Sequence, residues 1–558
     1  MKNKEVATIL HEIADLLEMK DVEWKPRAYR KAAREIGGLS EDITDVYEQG
    51  EIEEIEGIGE GIAEKIREYL DEGEIEYHQE LKEDLPVDIE AMTAVEGLGP
   101  KSIKKLYQEL GITELEELKQ AAQDEKIEEV EGFGKKSQQK ILDHIEMAIM
   151  NKQRMLLGEA WPIAQELKQQ LRQSDNFNRI DIAGSYRRRK PTIGDLDILA
   201  TSNNPDQAME EFCNLKDTKE VLAQGETKSS IVVSGNLQID LRLIDSDSYG
   251  SALNYFTGSK DHGITLRSLA KDQDKKLSEY GVFKEDTEEK LAGETEKRVY
   301  EELGLQFIEP ELREDTGEVK AAKQNELPNL IEPDQIKGDM QMHTNYSDGD
   351  NSIEEMAKKA QELGYEYITI TDHGPTVSVA GGMEIEGFKE QEKEIDKVNE
   401  KLDIEILHGA ELDIVEGGLD LDKEDCKFFD VTLAAMHNET SNPTEDLVKA
   451  FSEWPIDIWA HPLNRKVNKR KPIEFDPDRA IEAAADNDIV VEINANPERL
   501  DLPWRLVKKY KDKVNFVIST DAHSTSNLEY MKFGVFQARR GWLEKSDVIN
   551  TKPLSKLF

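Results

Sequence analysis

Residues 182–199 read IAGSYRRRKPTIGDLDIL, and this stretch carries the strongest pattern in the chain. It predicts a short apolar strand ending at a Gly184-Ser185 turn, then a basic loop with three arginines, then a second strand from Asp195. Side chains alternate across a strand, so Asp195 and Asp197 are expected on one face. Carboxylates bind divalent cations, and backbone N–H groups and arginines bind phosphate oxygens. The stretch therefore predicts a site for a metal-bound triphosphate.

A third carboxylate is expected on a neighbouring strand, and Asp240 in the segment QIDLR (238–242) supplies it. Asp-x-Asp alone is common on a solvent-exposed strand face, but the Gly184-Ser185 turn and Asp240 weigh against that interpretation. Two cations held by Asp195, Asp197 and Asp240 can activate an attacking hydroxyl and neutralise a leaving pyrophosphate. We expect Mg²⁺ or Mn²⁺ at this site.

With the segment YGSALNYFTGS at 249–259, these motifs resemble the nucleotidyltransferase superfamily and, more closely, the family X DNA polymerases. The resemblance implies that Tyr255 and Phe256 screen the 2′ position of the sugar. It also implies that Arg267 touches the minor groove of the template. Gly263 departs from the Asn that relatives often carry near the base. The implied nucleotide-binding residues are Gly184, Ser185, Arg188, Gly194, Tyr255, Phe256 and Gly258.

The first 150 residues alternate short amphipathic patterns with a recurring Glu-Gly-x-Gly element. Two glycines allow a tight turn that brings backbone N–H groups close to a phosphate at the start of the next helix. A plain helix–helix turn explains one copy, but three copies favour a DNA-backbone contact without sequence information. The element resembles the helix-hairpin-helix motif. Its glycines, expected to bind DNA, are Gly57, Gly59, Gly97, Gly99, Gly132 and Gly134.

Segments 24–33 and 57–66 resemble the small lyase domain of polymerase beta. The resemblance places Lys65 at the lysine that forms a Schiff base with a 5′-deoxyribose phosphate, and Lys25 and Tyr29 around the 5′-phosphate. Trp24 and Gly61 depart from a histidine and a second lysine of that pocket. Lyase chemistry and simple binding of the 5′-phosphate of a gap both remain open for Lys65.

Six of the ten histidines follow residue 336, and five of them lie at or just past the end of an apolar, strand-like run. Seven such runs, most of them separated by helical stretches, predict a distorted (α/β)7 barrel whose carboxyl strand ends carry the chemistry. Histidine with carboxylate suits zinc, manganese or iron at a multinuclear hydrolytic site. His408 is expected to be a packing residue instead.

This arrangement resembles the PHP domain, a family of metal-dependent phosphoesterases. The resemblance implies up to three ions (Mn²⁺, Zn²⁺ or Fe²⁺), and Gln341 departs from the first histidine of the family's usual His-x-His. The first implied ligand set is His343, Glu411 and Asp521, with Gln341 beside it. The second set is Glu411, His437 and His461, and the third is Asp348, His373 and His523.

The chain of 558 residues has a formal net charge of −46, whereas nucleic-acid partners normally require a basic surface. Basic residues cluster locally at 25–31, 187–190 and 465–471. A solvated acidic surface and adaptation to high intracellular salt both remain open. Two cysteines argue against a disulfide framework, and neither a signal peptide nor a membrane-spanning run is evident. We expect a cytoplasmic protein without a membrane partner.

The predicted fold is multidomain: helical helix-hairpin-helix domains, an α+β nucleotidyltransferase palm and thumb, and a distorted (α/β)7 PHP barrel. The expected domains are a lyase-like domain at 1–82, a second helix-hairpin-helix domain at 83–150, a palm at 151–245, a thumb at 246–316, a linker at 317–335 and the PHP domain at 336–558.

These patterns predict a monomeric base-excision-repair polymerase that uses dNTPs to fill short gaps in gapped or nicked DNA. The PHP domain would act as a 3′→5′ exonuclease, with 3′-phosphatase or abasic-site incision as alternatives. Two further hypotheses remain at this stage. One is a small-molecule phosphoesterase tethered to DNA, and the other is a non-catalytic scaffold that binds breaks.

Overall fold

The computed structural model describes residues 3–557 except 23, 39–42, 51, 56, 94, 96, 97, 153, 234–236, 378 and 379. It divides into two compact units. The first comprises 1–154, 232–238 and 260–272, and the second comprises 155–231, 239–259 and 273–558. Across the described residues, no helix combines the length and apolarity needed to cross a membrane.

The first unit is helical, and the apolar faces of its helices pack into one core that runs from Val6 to Ile145. Its helices are α1 (Asn3–Met19), α2 (Lys25–Gly38), α3 (Ile43–Gln49), α4 (Glu60–Glu72), α5 (Glu76–Asp84), α6 (Ile89–Thr93), α7 (Pro100–Leu110), α8 (Leu115–Gln123) and α9 (Lys135–Lys152). Short 3-10 turns at Ile52–Glu54 and Ile127–Glu129 precede α4 and α9, and α14 (Lys260–Lys271) also belongs to this unit.

The described residues of the three Gly-x-Gly turns share one pattern of backbone hydrogen bonds. Gly57 and Gly132 have φ values of 85° and 93°, which only glycine adopts without strain. The residue between the glycines donates its N–H to a carbonyl three positions earlier, in the pairs Ile58–Ile55, Leu98–Val95 and Phe133–Val130. The second glycine then accepts the first helical hydrogen bond of α4, α7 or α9. Gly97 lies outside the described residues.

In the second unit, residues 155–231, 239–259 and 273–316 form mixed α/β structure around a five-stranded sheet of order β2-β4-β7-β6-β5. Val232 and Gln238, at the ends of β6 and β7, fall in the first unit. The strands are β1 (Met155–Leu156), β2 (Arg179–Ile182), β3 (Thr192–Ile193), β4 (Asp195–Thr201), β5 (Glu220–Gln224), β6 (Lys228–Val232), β7 (Gln238–Leu243), β8 (Lys275–Ser278), β9 (Gly281–Lys284) and β10 (Lys290–Ala292). The helices are α10 (Leu157–Arg172), α11 (Gly184–Arg187), α12 (Pro205–Cys213), α13 (Tyr249–Thr257) and α15 (Glu296–Glu302).

The rest of this unit is a barrel of seven parallel strands in the order β11-β12-β13-β15-β16-β17-β18, with β14 antiparallel to β13. A parallel bridge between Met342 and Ala522 links the segments after β11 and β18. The strands are β11 (Gly338–Asp339), β12 (Tyr367–Ile370), β13 (Glu405–Val415), β14 (Gly418–Leu419), β15 (Val431–Ala435), β16 (Ile458–Trp459), β17 (Val490–Asn494) and β18 (Phe516–Ser519). The helices are α17 (Ile353–Glu362), α18 (Ile385–Asn399), α19 (Lys423–Cys426), α20 (Pro443–Glu453), α21 (Pro477–Asp486), α22 (Trp504–Tyr510) and α23 (Met531–Arg540).

Residues 317–335, expected to be a linker, are ordered and pack against the barrel. They contain helix α16 (Glu318–Gln324), and Leu330 and Ile331 are buried. The Ile331 amide donates to the Leu543 carbonyl at 3.0 Å, and Arg539 donates to the Ile331 carbonyl at 3.0 Å. The two prolines and the polar composition suggested a linker. However, the apolar residues between the prolines pack against the barrel.

Candidate active sites

The first candidate site is built on strands β4 and β7. Asp195 and Asp197 point to one face of β4, whereas Leu196 between them is fully buried on the other. Asp240 on the adjacent strand β7 is buried, 6% exposed. Burial, and then the charges of Asp195 and Asp240, raise the pKa of Asp197 to about 7. Repulsion among three neighbouring carboxylates disfavours their ionised forms unless a cation is present. The site therefore has the excess negative charge that divalent metal ions neutralise.

Two basic side chains flank this carboxylate site, and the sequence analysis did not assign them. The Lys228 Nζ lies 2.7 Å from the Asp240 Oδ2. Arg242, two residues after Asp240 on the same strand, lowers the pKa of Asp197 against the larger effect of burial. Strand alternation already put Arg242 on the face of Asp240, so that signal was present in the sequence.

The Gly184-Ser185 turn lies directly against the carboxylates. Gly184 has a φ of 62°, and a Cβ added there would collide with the Asp197 carboxylate. The Ala183 amide donates to the Asp197 carbonyl at 2.7 Å, which fixes the turn to β4. Within the described part of the chain, the buried Ser185 Oγ has no hydrogen-bond partner. A buried hydroxyl of this kind fits a phosphate oxygen as its partner.

The three arginines of the loop have partners in the protein. Arg187 makes two hydrogen bonds of 2.8 and 2.6 Å to Glu296. Arg189 stacks on Trp161 and Phe536, 4.8 and 4.5 Å from their ring centres. Arg187 therefore pairs with a carboxylate and Arg189 stacks on aromatic rings, and phosphate contacts of these two arginines stay untested predictions. The phosphate contact of Arg188 remains a prediction.

The segment expected beside the sugar forms the end of α13. Tyr255 is 46% exposed and Phe256 is half-buried, and their rings meet edge to face at 5.1 Å. The Arg242 guanidinium lies 4.6 Å from the Phe256 ring centre. Gly258 ends the helix, and its amide donates to the Asn254 carbonyl. The aromatic pair is thus tied to the strand that carries Asp240.

Arg188 connects this loop to the barrel. Its Nε lies 3.0 Å from the Glu314 Oε1, and its Nη1 donates to the Thr257 carbonyl at 2.6 Å. Arg540, at the end of α23 and 1% exposed, donates to the Arg188 carbonyl at 2.8 Å and to Glu314 at 3.1 Å. A barrel residue therefore holds the backbone and the side-chain partner of the loop beside the carboxylates.

For the gap filling predicted from the sequence, we expect Arg540→Ala to raise the KM for dNTP roughly tenfold, since loss of a buried charged partner costs about 1.4 kcal/mol or more. Steady-state incorporation kinetics measure it. Arg539→Ala is the matched control, because Arg539 lies on the same helix and forms a similar buried pair with Glu311 at 2.9 Å. Both variants should unfold at lower temperature, but only Arg540→Ala should change the KM. Equal KM values in the two variants would contradict the prediction.

The second candidate site lies at the carboxyl ends of the barrel strands, with Glu411 at its centre. Glu411, on β13, is fully buried. Its Oε1 lies 2.7 Å from the His461 Nε2 and 3.2 Å from the His437 Nε2. Its Oε2 lies 3.2 Å from the His343 Nε2, which is also 3.2 Å from the Asp521 Oδ1. One carboxylate therefore contacts imidazoles from three loops.

Three clusters at this barrel site have ligand atoms within 4.8 Å of one another. One contains the first predicted set, His343, Glu411 and Asp521. Another contains the third set, Asp348, His373 and His523, with His343 added. The last combines Glu411 and His437 with His373. His461, expected in the second set, is in none of these three clusters, but its Nε2 contacts the Glu411 Oε1 at 2.7 Å.

Gln341 fits this site as an oxygen ligand. Its Nε2 donates to the Glu411 Oε2 at 2.8 Å. Its buried Oε1 is without a hydrogen-bond partner among the described residues. An amide oxygen is a neutral donor suited to a hard cation.

Burial and neighbouring charges shift the pKa values of the histidines at the barrel site. Burial opposes the charged forms, but Asp413 and Glu411 raise the pKa of His437 to about 9. Burial, followed by the charge of His343, lowers the pKa of His373 to about 4. Because metal ligation needs neutral imidazoles and ionised carboxylates, binding of cations here is linked to release of protons from groups such as His437.

Residues outside the predicted ligand sets support the site. The Asp413 Oδ1 lies 3.2 Å from the His437 Nδ1 and orients its ring. The Arg499 Nε lies 3.1 Å from the Asp521 Oδ2. No motif in the sequence identified Arg499. His408, expected to pack, is buried between Phe428 and Phe429 with ring centres 5.3 Å away.

The residues matched to the lyase pocket lie in the first unit. The Lys65 Nζ is 4.9 Å above the Tyr77 ring centre. Tyr29 is 6% exposed, and burial raises its pKa to about 12, with a smaller contribution from Tyr77. Lys25 is exposed at the start of α2. The Lys65 ammonium therefore makes a cation–π contact with the Tyr77 ring.

Two further DNA-binding predictions concern glycines and Arg267. A Cβ added at Gly59, Gly99 or Gly134 would meet no atom within 4 Å, so the starts of α4, α7 and α9 are open to a ligand. Arg267 is exposed on α14, and a Cβ at Gly263 would lie 3.1 Å from its guanidinium. The small residue thus leaves room for this arginine.

Known family patterns match most of residues 1–496. The DNA polymerase beta palm matches residues 154–250, and the DNA polymerase beta thumb matches 252–314. A helix-hairpin-helix domain matches 1–75, and a helix-hairpin-helix tandem matches 89–147. The PHP domain matches 339–496.

Similar proteins combine these parts in the same order or share some of them. The DNA polymerase/3′-5′ exonuclease PolX of Bacillus subtilis is 38% identical over 99% of this chain and 98% of its own length. DNA polymerase lambda of Rattus norvegicus is 25% identical over 56% of both chains. A probable phosphatase of Caldanaerobacter subterraneus is 34% identical over 26% of this chain and 56% of its own length.

Proposed function

The chain belongs to the family X DNA polymerases that carry a C-terminal PHP domain, and we propose that it fills short gaps in DNA and removes nucleotides from 3′ ends. The observation that carries the polymerase half is the convergence of three carboxylates beside the Gly184-Ser185 turn. The substrates are dNTPs and gapped or nicked DNA. We also propose that the protein acts as a cytoplasmic monomer.

Asp195, Asp197 and Asp240 would hold Mg²⁺ or Mn²⁺. These carboxylates would place the cations beside an attacking 3′-hydroxyl, where the positive charge would favour ionisation of the hydroxyl and departure of pyrophosphate. The Ser185 hydroxyl donates to a phosphate oxygen, and Tyr255 and Phe256 limit the space at the 2′ position. The open glycine turns bind the DNA backbone, and Lys65 with Lys25 and Tyr29 holds the 5′-phosphate of the gap.

The barrel site would perform the hydrolytic reaction on the 3′ end. Its histidines and carboxylates, with Gln341, would hold up to three Mn²⁺, Zn²⁺ or Fe²⁺ ions in the three ligand sets predicted from the sequence. Asp413 orients His437, and Arg499 orients Asp521. The proposed domain boundaries are those expected from the sequence, with 317–335 as an ordered connection.

A duplex with a short gap and a 5′-labelled primer tests both halves. With Mg²⁺ or Mn²⁺ and dNTPs we expect the primer to extend across the gap, and with Mn²⁺ alone we expect it to shorten one nucleotide at a time. A DNA-tethered phosphoesterase or a scaffold extends no primer. On a second duplex whose labelled primer ends in a 3′-phosphate, loss of only that phosphate would assign a phosphatase instead. Parallel reactions at low and high salt distinguish the two interpretations of the −46 charge.

A further inference from the structure

The basic cluster at 465–471 has no role in the sites described above. It contains Arg465, Lys466, Lys469, Arg470 and Lys471 and no acidic residue, in a chain of net charge −46. The cluster begins four residues after His461, which contacts Glu411 at 2.7 Å. A concentrated positive charge this close to a phosphodiesterase site is suited to a polyanionic substrate.

The cluster folds into a short hairpin. Lys466 and Arg470 pair as an antiparallel bridge, with N–H···O distances of 3.0 and 2.8 Å. Asn468 turns the chain with a φ of 60°. At the tip and just beyond it, Lys469 and Lys471 are exposed. The hairpin therefore presents lysines outward from a defined backbone.

The base of the hairpin is attached to the barrel site. Arg470 donates to the Asn464 carbonyl at 2.8 Å and also to its side-chain oxygen. Asn464 in turn donates to the His437 carbonyl at 2.9 Å. Arg499 donates to the Asn464 Oδ1 at 3.1 Å and contacts Asp521. Two of the predicted metal-binding segments are thereby linked to the hairpin through one asparagine.

One acidic residue neutralises part of this charge. Glu498 lies 2.5 Å from the Lys469 Nζ and 3.9 Å from the Lys466 Nζ, and all three side chains are 39–58% exposed. Exposed ion pairs are worth only about 0–1 kcal/mol. Phosphates can therefore replace Glu498 at a small cost in free energy. Lys471, the third lysine of the hairpin, is not among the lysines that pair with Glu498.

We propose that this hairpin, residues 466–471, binds backbone phosphates of the DNA strand whose 3′ end occupies the barrel site. The inference rests on the exonuclease function proposed above. It adds to that function a structural element, the hairpin, that binds the DNA strand being digested. Lysine contacts to phosphates are independent of sequence, as an exonuclease requires. Arg465, Arg470 and Arg499 bind protein atoms and position the hairpin, while Lys466, Lys469 and Lys471 contact DNA.

The test is the triple variant Lys466→Gln/Lys469→Gln/Lys471→Gln, which spares the three arginines. On a single-stranded oligonucleotide we expect the KM for exonuclease digestion to rise about ten- to hundredfold. The slope of log KM against log salt should fall by about 2, at roughly 0.7 per phosphate contact. The kcat, the gap-filling rate and hydrolysis of bis(p-nitrophenyl) phosphate should stay at wild-type values.

The matched control is Lys358→Gln/Lys401→Gln/Lys389→Gln. Lys358 and Lys401 pair with a single glutamate, Glu354, at 2.7 and 3.3 Å, and so repeat the local charge arrangement. We expect the control to leave the KM and the salt slope unchanged. Glu498→Gln should lower the KM two- to threefold, because it removes the competitor of the phosphates.

The outcomes separate this inference from the exonuclease proposal. Wild-type KM and salt slope in the hairpin variant, with DNA digestion intact, overturn the hairpin's role alone. A matching loss of bis(p-nitrophenyl) phosphate hydrolysis also overturns it, since the hairpin would then support the metal site. A wild-type protein that hydrolyses the small diester but digests no DNA overturns both proposals.

Discussion

Asp197→Ala is expected to abolish gap filling and to leave Mn²⁺-dependent DNA digestion at the wild-type rate. Asp197 carries a charge beside those of Asp195 and Asp240 and lies against the Gly184 turn, so its loss would remove a carboxylate that we expect to hold a cation. Metal stabilisation of transition-state charge is worth several kcal/mol, so we expect a loss of at least about 10³-fold. Single-nucleotide incorporation on a gapped duplex measures the effect.

The control for this variant is Asp206→Ala, which makes the same change at an exposed position in the first turn of α12. It should retain both activities. Asp197→Asn, which keeps the volume of the side chain, should lose gap filling as fully as alanine. If gap filling and digestion both vanish in a folded Asp197→Ala protein, the two activities do not belong to separate sites.

The local geometry of the carboxylate site was predictable because strand periodicity and glycine conformation are local properties. Alternation along β4 put Asp195 and Asp197 on one face, and Gly184 adopts the φ of 62° that the turn requires. Likewise, seven apolar runs, five of which end at or just before a histidine, predicted the seven parallel strands of the barrel. Parallel strands bring their carboxyl ends to one edge, so the histidines had to meet.

The partners of the basic loop were not predictable, because they come from distant parts of the chain. Glu314 lies 126 residues after Arg188, and Arg540 lies 352 residues after it. A run of arginines predicts anion binding equally well whether the anion is a phosphate or a carboxylate of the protein. The packing of residues 317–335 against the barrel was not predictable for a similar reason. Local composition cannot show that Leu330 and Ile331 are buried against the barrel.

Glu411→Gln is expected to abolish DNA digestion, by about 10³-fold or more, and to leave gap filling within about twofold of wild type. Glu411 is the one residue shared by the first two predicted ligand sets, and its oxygens contact His343, His437 and His461 at 2.7–3.2 Å. A neutral amide of the same size removes a charge that both sets need. Digestion of a 5′-labelled primer with Mn²⁺ measures the loss.

Because Glu411 is buried, folding and metal content must be followed with activity. Glu405→Gln is the matched control: it is the same substitution on the same strand, at an exposed position at the start of β13. We expect Glu411→Gln to bind fewer Mn²⁺ ions per chain than Glu405→Gln by elemental analysis, while its gap filling reports an intact fold around the carboxylate site. A variant that loses digestion but keeps every ion would make Glu411 an acid–base group rather than a ligand. If the Glu411→Gln variant instead keeps DNA digestion within tenfold of wild type, Glu411 is needed neither as a metal ligand nor as an acid–base group.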